Sequence, residues 1–191
     1  MVYRTLIIAN QNFYSSIIAQ ISPDFHDPEL GKAKAGAGLM IVTESLEACL
    51  FRRSDQVNSP HNWGNLGGIR RASNQKGLEF SLITAIRESL EETDNNLPEG
   101  IILPAPIMYH RRGSGGHFFY LTYTLIVPNS AKQTYSPRLN WEHDEFRWFS
   151  QEERKEIKMH YGTKYVLERI DPANVLCAAQ LLQDLLSLQV S

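Results

Sequence analysis

The chain has 191 residues, 42 % of them hydrophobic, and a formal net charge of −2. That is enough for one globular domain with its own core, and the small net charge excludes a global field that would recruit nucleic acid or an anionic membrane. No apolar run approaches the ~20 residues that span a bilayer. The start, Met1 to Asn10, has too short an apolar core for a signal peptide, so the expected location is the cytoplasm.

In chain order, Val2 to Ile8 reads as a strand. Asn10 is placed to cap a helix over Phe13 to Gln20, which Pro23 ends. Ser22 to Lys34 is rich in Pro, Asp and Gly and reads as a loop. Gly36 to Thr43 and Leu46 to Arg53 are apolar runs separated by Glu44-Ser45, the pattern of a hairpin. Asp55 to Asn62 reads as loop, and Leu78 to Thr93 as an amphipathic helix. Ile101 to His110 and His117 to Val127 read as strands joined by the turn Arg111 to Gly116. A long loop over Pro128 to Leu139 precedes a short strand, Phe146 to Phe149. Ser150 is placed to cap a helix beginning at Gln151. Asp171-Pro172 opens a last helix to about Leu188, with Pro at a favoured first-turn position. Strands and helices interleave without a regular βαβ period, which predicts a mixed sheet flanked by helices. Cys49 and Cys177 lie far apart in apolar segments, without metal-ligand spacing, and are expected as buried thiols.

The helix over Leu78 to Thr93 carries the chemistry. At helical pitch Glu88, Glu91 and Glu92 fall within an arc of roughly 100°. Leu82, Ile83, Ile86 and Leu90 fall on the opposite side. Like charges at this spacing weaken a bare helix by a few tenths of a kcal/mol. Clustered hard oxygen ligands are what Mg²⁺ or Mn²⁺ requires. An ordinary solvated acidic face is the alternative that the helix alone leaves open.

The surroundings narrow that choice. Trp63 to Gly68 carries three glycines, Glu79 follows a basic loop, seven residues separate Glu79 from Arg87, and Arg87-Glu88 leads into Glu91-Glu92. This resembles the signature of the Nudix hydrolase family: Gly, five residues, Glu, seven residues, Arg-Glu, an aliphatic, any residue, Glu-Glu, any residue, Gly, an aliphatic. The departures are a loop from Ile69 to Leu78 longer by five residues, Ser89 for the aliphatic, Asp94 for the glycine and Asn95 for the last aliphatic. Asp and Asn tolerate the left-handed backbone that ends a helix.

The resemblance covers about residues 36 to 160. It implies an α/β (α+β) fold, a Nudix-like α/β/α sandwich around a mixed β-sheet. The chain then reads as a single domain over 1–191, with an N-terminal extension (1–35), a core (36–160) and a C-terminal helix (171–188). It further implies that Glu88, Glu91 and Glu92 hold Mg²⁺ or Mn²⁺ with the Gly68 carbonyl, and that Arg87 orients the glutamates through Glu79. Glu142, in the segment Leu139 to Phe149, matches a loop glutamate that reaches the metal or positions water in many members, diadenosine tetraphosphate hydrolases among them. Glu145 is its rival. His143 is expected as a hydrogen-bonded structural histidine and Trp148 as core.

Arg70, Arg71 and Lys76 in the longer loop, and Arg111 and Arg112 before the glycine-rich turn, are the candidate phosphate-binding cations. The latter stretch is no P-loop, since the Lys-Ser/Thr pair and following helix are missing. Tyr109, His110, His117 and Tyr120 are placed either to stack a base or simply to pack.

The function that follows is metal-dependent hydrolysis of a diphosphate bond in a nucleoside diphosphate linked to another group. The alternative is a non-catalytic regulatory domain that binds a nucleotide or phosphometabolite. A diphosphate isomerase ranks last, because neither cysteine has a reactive setting. The expected partner is a small nucleoside diphosphate derivative, with no membrane. Nucleic acid is disfavoured, 5′-triphosphorylated RNA is left open as a substrate, and so is a homo-oligomer. Substrate identity lives in loops that vary independently of the fold.

Overall fold

The computed structural model describes residues 7–12, 14, 34–73, 77–113 and 116–188. Its centre is β2 (Lys34–Thr43), whose run of Ala, Gly, Leu, Met, Ile and Val is buried from Ala35 onward. Continuous burial, rather than alternation, is the mark of a strand covered on both faces. β2 pairs in parallel with β10 (Gly116–Val127) from Lys34↔Phe118 to Thr43↔Val127. β1 (Ile7–Ala9) and β8 (Gly100–Ile102) extend the sheet beyond β10, and β3 (Ala48–Arg53) and β11 (His143–Phe149) extend it beyond β2. β9 (Ile107–Gly113) pairs with the first half of β10.

The sheet splits where the site lies. β2 and β3 pair only at Ile41↔Cys49 and Val42↔Ala48 and then part. The gap is filled by β4 (Trp63–Gly64), which pairs with β3, and β5 (Leu66–Ile69), which pairs with β2. β6 (Ala72–Ser73) and β7 (Gly77–Leu78) form a small separate ribbon.

Helices cover both faces. On one face α1 (Ser81–Glu92) sets Leu82, Ala85 and Ile86 against Leu39, Ile41, Leu121 and Tyr123. On the other, Val166 of α3 (Tyr161–Leu167) and Val175, Ala178 and Leu182 of α4 (Pro172–Leu188) meet Met40, Val42, Leu50, Ile126 and Phe149. A short α2 (Ala131–Thr134) interrupts the expected long loop. The result is an α/β/α sandwich around a mixed sheet. Among the described residues no helix is long and apolar enough to cross a membrane.

Several expectations are corrected. Pro104 and Pro106 lack ladder donors, so Ile101 to His110 is two strands, β8 and β9, rather than one. Arg111 and Arg112 lie inside β9, and the tip, 114–115, lies outside the described residues. After Ser150 comes only a 3-10 turn, Glu153–Lys155, with reciprocal bonds from Ser150 N–H to Glu153 (2.8 Å) and from Glu153 N–H to the Ser150 hydroxyl (3.3 Å). α3 was not anticipated. Cys49 is buried as expected, whereas Cys177 is exposed on α4. Of the helix expected over Phe13 to Gln20, only Tyr14 is described, its N–H donating to the Asn10 carbonyl (2.9 Å).

Candidate active site

The acidic helix begins after Phe80 and ends where Asp94 and Asn95 adopt left-handed backbone, φ 52° and 61°. Asp94 and Asn95 thus do what glycine does at a helix end. Ser89 is buried and donates to the Ala85 carbonyl (2.6 Å), so a hydroxyl is satisfied where an aliphatic side chain was expected.

Glu88, Glu91 and Glu92 do not share one environment. Glu92 is 2 % exposed, so the ordinary solvated acidic face does not describe it. Its carboxylate accepts the Gly67 N–H at 2.8 Å. Glu88 lies so close to Gly68 that a Cβ there would collide with its carboxylate oxygens. Gly67 has φ 137°, and a Cβ on it would strike the β2 backbone. The glycines therefore let the β5 backbone come up against two carboxylates. Glu91 is half-exposed and takes Arg71 Nη2 at 3.1 Å on both oxygens.

Arg87 ties the group together. Its Nη2 donates to Glu79 Oε2 (2.8 Å) and its Nε to Glu79 Oε1 (3.1 Å). Its Nη1 donates to Glu88 Oε1 (2.6 Å) and, more loosely, to Glu91 (3.3 Å). Thr84 adds a hydroxyl bond to Glu79 (2.8 Å). Partial burial works to raise the Glu79 pKa, but the bonds from Arg87 and Thr84 outweigh it and hold the carboxyl below its ordinary value.

Glu142, in the turn before β11, is held by its N–H donating to Asn140 Oδ1 (2.9 Å). Burial first, then the charges of Glu88 and Glu91, raise its pKa, against the opposing pull of Arg53. Burial likewise pushes Glu92 well above the usual carboxylate range, with Glu142 and Glu88 adding to it and the Gly67 N–H and Arg53 opposing. Four carboxylates from two distant segments therefore feel one another. Glu145 instead pairs with Arg52 (3.1 Å). His143 is buried against Phe51 with neither ring nitrogen hydrogen-bonded among the described residues, so the expected bond is not there. Burial and Arg53 lower its pKa to about 4.

A cavity of about 530 Å³ opens beside this group, lined among others by Arg53, Gly67, Gly68, Glu142, Tyr109, Arg111, Tyr120 and Tyr161. Arg111 is thus at the cavity, while Arg112 is not among its lining residues. Arg70 is buried and its Nε donates to the Glu79 carbonyl (2.7 Å), a bracing contact rather than an open cation. Lys76 lies outside the described residues. Of the four ring candidates, Tyr109 and Tyr120 line the cavity, whereas His110 and His117 meet each other (2.7 Å). Arg53, Asn65, His160 and Tyr161 line it too and were not singled out from the sequence. The one local hint was Arg52-Arg53 closing an apolar strand.

The donor set fits a hard divalent cation in kind. Carboxylates and backbone carbonyls are its preferred ligands, and Glu92 is a buried acid beside two others, offset only by one N–H and one arginine. Among the described residues no three such side chains converge on a single point, because Glu88 and Glu91 are turned toward Arg87 and Arg71.

No protein-family model matches the sequence, and no curated protein matches it at a significant level. Solved structures do. The fold is similar to that of a MutT Nudix hydrolase from Burkholderia pseudomallei (TM-score 0.54, 19% identity, 74% of this chain and 100% of that one). It is similar to the Nudix domain of Shewanella oneidensis NrtR, solved with ADP ribose (0.54, 15%, 81% and 94%). It also matches a MutT protein from Methanosarcina mazei Go1 (0.53, 21%, 76% and 99%).

Proposed function

With the Nudix fold as the frame, we propose that the chain is a metal-dependent hydrolase that cleaves a diphosphate bond in a nucleoside diphosphate linked to another group. One observation carries this reading. Glu92 of α1 accepts the Gly67 N–H, Glu88 lies against Gly68, and Glu142 of a separate turn lines the cavity beside both glycines, while Glu91 is held by Arg71 and Arg87. Nothing in core packing calls for Glu92 and Glu142 beside Glu88 there, since burial and like charge both oppose their ionisation.

Glu88, Glu91 and Glu92 are the residues that would hold Mg²⁺ or Mn²⁺, together with the Gly68 carbonyl. When bound, such an ion neutralises the diphosphate and makes a water more acidic. The chain's own residues do the rest. Arg87, locked on Glu79, keeps Glu88 aimed at the glycine backbone. Glu142, a partly buried acid at the cavity wall, is the carboxylate placed to accept the proton from the attacking water. Arg53, at the same end, offers a fixed cation to a phosphate oxygen. Arg71 reaches the site through its pair with Glu91.

A second reading, binding without turnover, has one observation on its side: Glu88 and Glu91 point at arginines. A panel screen separates the two. Nucleoside triphosphates, nucleotide sugars, dinucleoside polyphosphates and 5′-triphosphorylated RNA are incubated with Mg²⁺, Mn²⁺ or EDTA. The proposal expects two phosphorylated products from at least one substrate, with metal only. Binding without products in every case supports the second reading.

A further inference from the structure

The face of β9 and β10 turned away from the cavity carries two histidines that the acid site does not use. The register pairs Phe119 with His110 and Arg112 with His117, so these four side chains share one face, opposite to that of Tyr109 and Tyr120. Leu121, further along that face, is core, whereas His110 and His117 are exposed. The two histidines are diagonal neighbours across the ladder, roughly 7–8 Å apart at the backbone.

Their side chains close that distance. Nε2 of His110 and Nδ1 of His117 are 2.7 Å apart. The ring centroids are 5.0 Å apart and the planes differ by 9°. Coplanar rings that meet through their nitrogens have this spacing, so the contact is edge to edge, one nitrogen donating and the other accepting. Phe119 stacks on His110 at 4.5 Å and 15°, which holds that ring in place. Two imidazole nitrogens thus face a single gap on two adjacent strands.

Imidazole nitrogen suits Zn²⁺, Ni²⁺ and Cu²⁺, whereas carboxylate and carbonyl oxygen suit Mg²⁺. With metal–nitrogen distances of about 2.0–2.1 Å, two nitrogens at neighbouring corners of an octahedron or a tetrahedron stand roughly 3.0–3.4 Å apart. The pair reaches that separation by a small swing of two exposed rings, at the cost of one exposed hydrogen bond. Among the described residues no third His, Cys, Asp or Glu completes a cluster with them, and Arg112 shares the face, so water fills the remaining positions and the affinity is modest.

We propose that His110 and His117 form a two-ligand site for a late first-row divalent ion of the Zn²⁺ and Ni²⁺ class, separate from the acid cluster and with the reverse ion preference. The donor ring gives up its proton at the contact nitrogen and takes one from water at its other nitrogen, so both rings bind as neutral imidazoles. The ion clips β9 to β10 at the edge of the sheet, where β10 is the only strand paired with β9 among the described residues. This inference does not rest on the proposed function.

The test is calorimetric titration of the untagged full chain with Ni²⁺ in excess Mg²⁺. One equivalent is expected to bind. His110→Gln and His117→Gln should each weaken it tenfold or more, and the double variant little further, because losing either ligand ends the chelate. Cys177→Ser, which removes the exposed thiol, should leave the affinity unchanged. Ni²⁺ should raise the Tm of wild type and not that of either histidine variant, since an ion that binds the folded chain stabilises it. Wild-type Tm values in the variants before Ni²⁺ is added show that their folds are intact. Wild-type Ni²⁺ affinity in either single histidine variant overturns the site. So does binding that Cys177→Ser abolishes, binding that Mg²⁺ competes away, or no Ni²⁺ binding to wild type.

Discussion

Glu92 is a buried acid whose carboxylate is held by one backbone N–H and surrounded by other acids. Its charge is costly to the fold, so an uncharged isostere tests what the charge does. Glu92→Gln keeps the shape and an oxygen for the Gly67 N–H. The expected outcome is an unchanged or raised Tm with kcat lowered by about 10²–10³, the scale of losing one preorganised electrostatic group. A thermal melt and a steady-state assay check both halves. Arg87 asks the opposite question, geometry at constant charge. Lys cannot reproduce the two-pronged contact with Glu79 while also reaching Glu88. Arg87→Lys should cost on the order of 1–3 kcal/mol in denaturant unfolding and lower activity as well. Wild-type values for both would reduce Arg87 to a surface charge.

At the scale of elements, β11 begins with His143, buried and with neither ring nitrogen hydrogen-bonded among the described residues. Its folded pKa, about 4, lies below the unfolded value near 6.5. Below the unfolded value the unfolded chain binds the extra proton, so stability falls as pH drops from about 6.5 to about 4 and then levels off. The lost stability is up to about 3 kcal/mol. His143→Leu should remove that acid-side loss, and the difference between the two proteins' unfolding curves against pH isolates it from the carboxylates. α1 offers a second test. Asp94, at φ 52°, is in the region where glycine costs least. Asp94→Gly should raise stability by about 0.5–1 kcal/mol; a fall would show that the left-handed end is not strained.

What was legible follows from the range of each interaction. Glu79, Arg87, Glu88, Glu91 and Glu92 sit on one helix and its lead-in, so spacing alone brought them together. β2, β3 and α4 were legible because apolar runs and a first-turn proline are local signals. Glu92's burial was not, because it depends on β5 packing over the helix. Nor was Arg70's, since exposed arginine is the default. α3 is short, and its first residue, Tyr161, matters through contacts with β9 some fifty positions earlier.

For the whole molecule, the split between β2 and β3 is the feature that makes a site. It admits β4 and β5, brings the Gly67-Gly68 backbone to α1 and opens the cavity toward α3. Two helical layers hold that opening from both faces.

The central claim is that the acids around Gly67-Gly68 support metal-dependent cleavage of a diphosphate bond. Its most direct test is the initial rate of product formation across a Mg²⁺ titration, with wild type and Glu92→Gln side by side on the best substrate of the panel. The account predicts two phosphorylated products from wild type, a rate that rises with Mg²⁺ and vanishes in EDTA, and a rate lower by about 10²–10³ in Glu92→Gln even at saturating Mg²⁺. Equal rates for the two proteins, or products that form as well in EDTA, would contradict it.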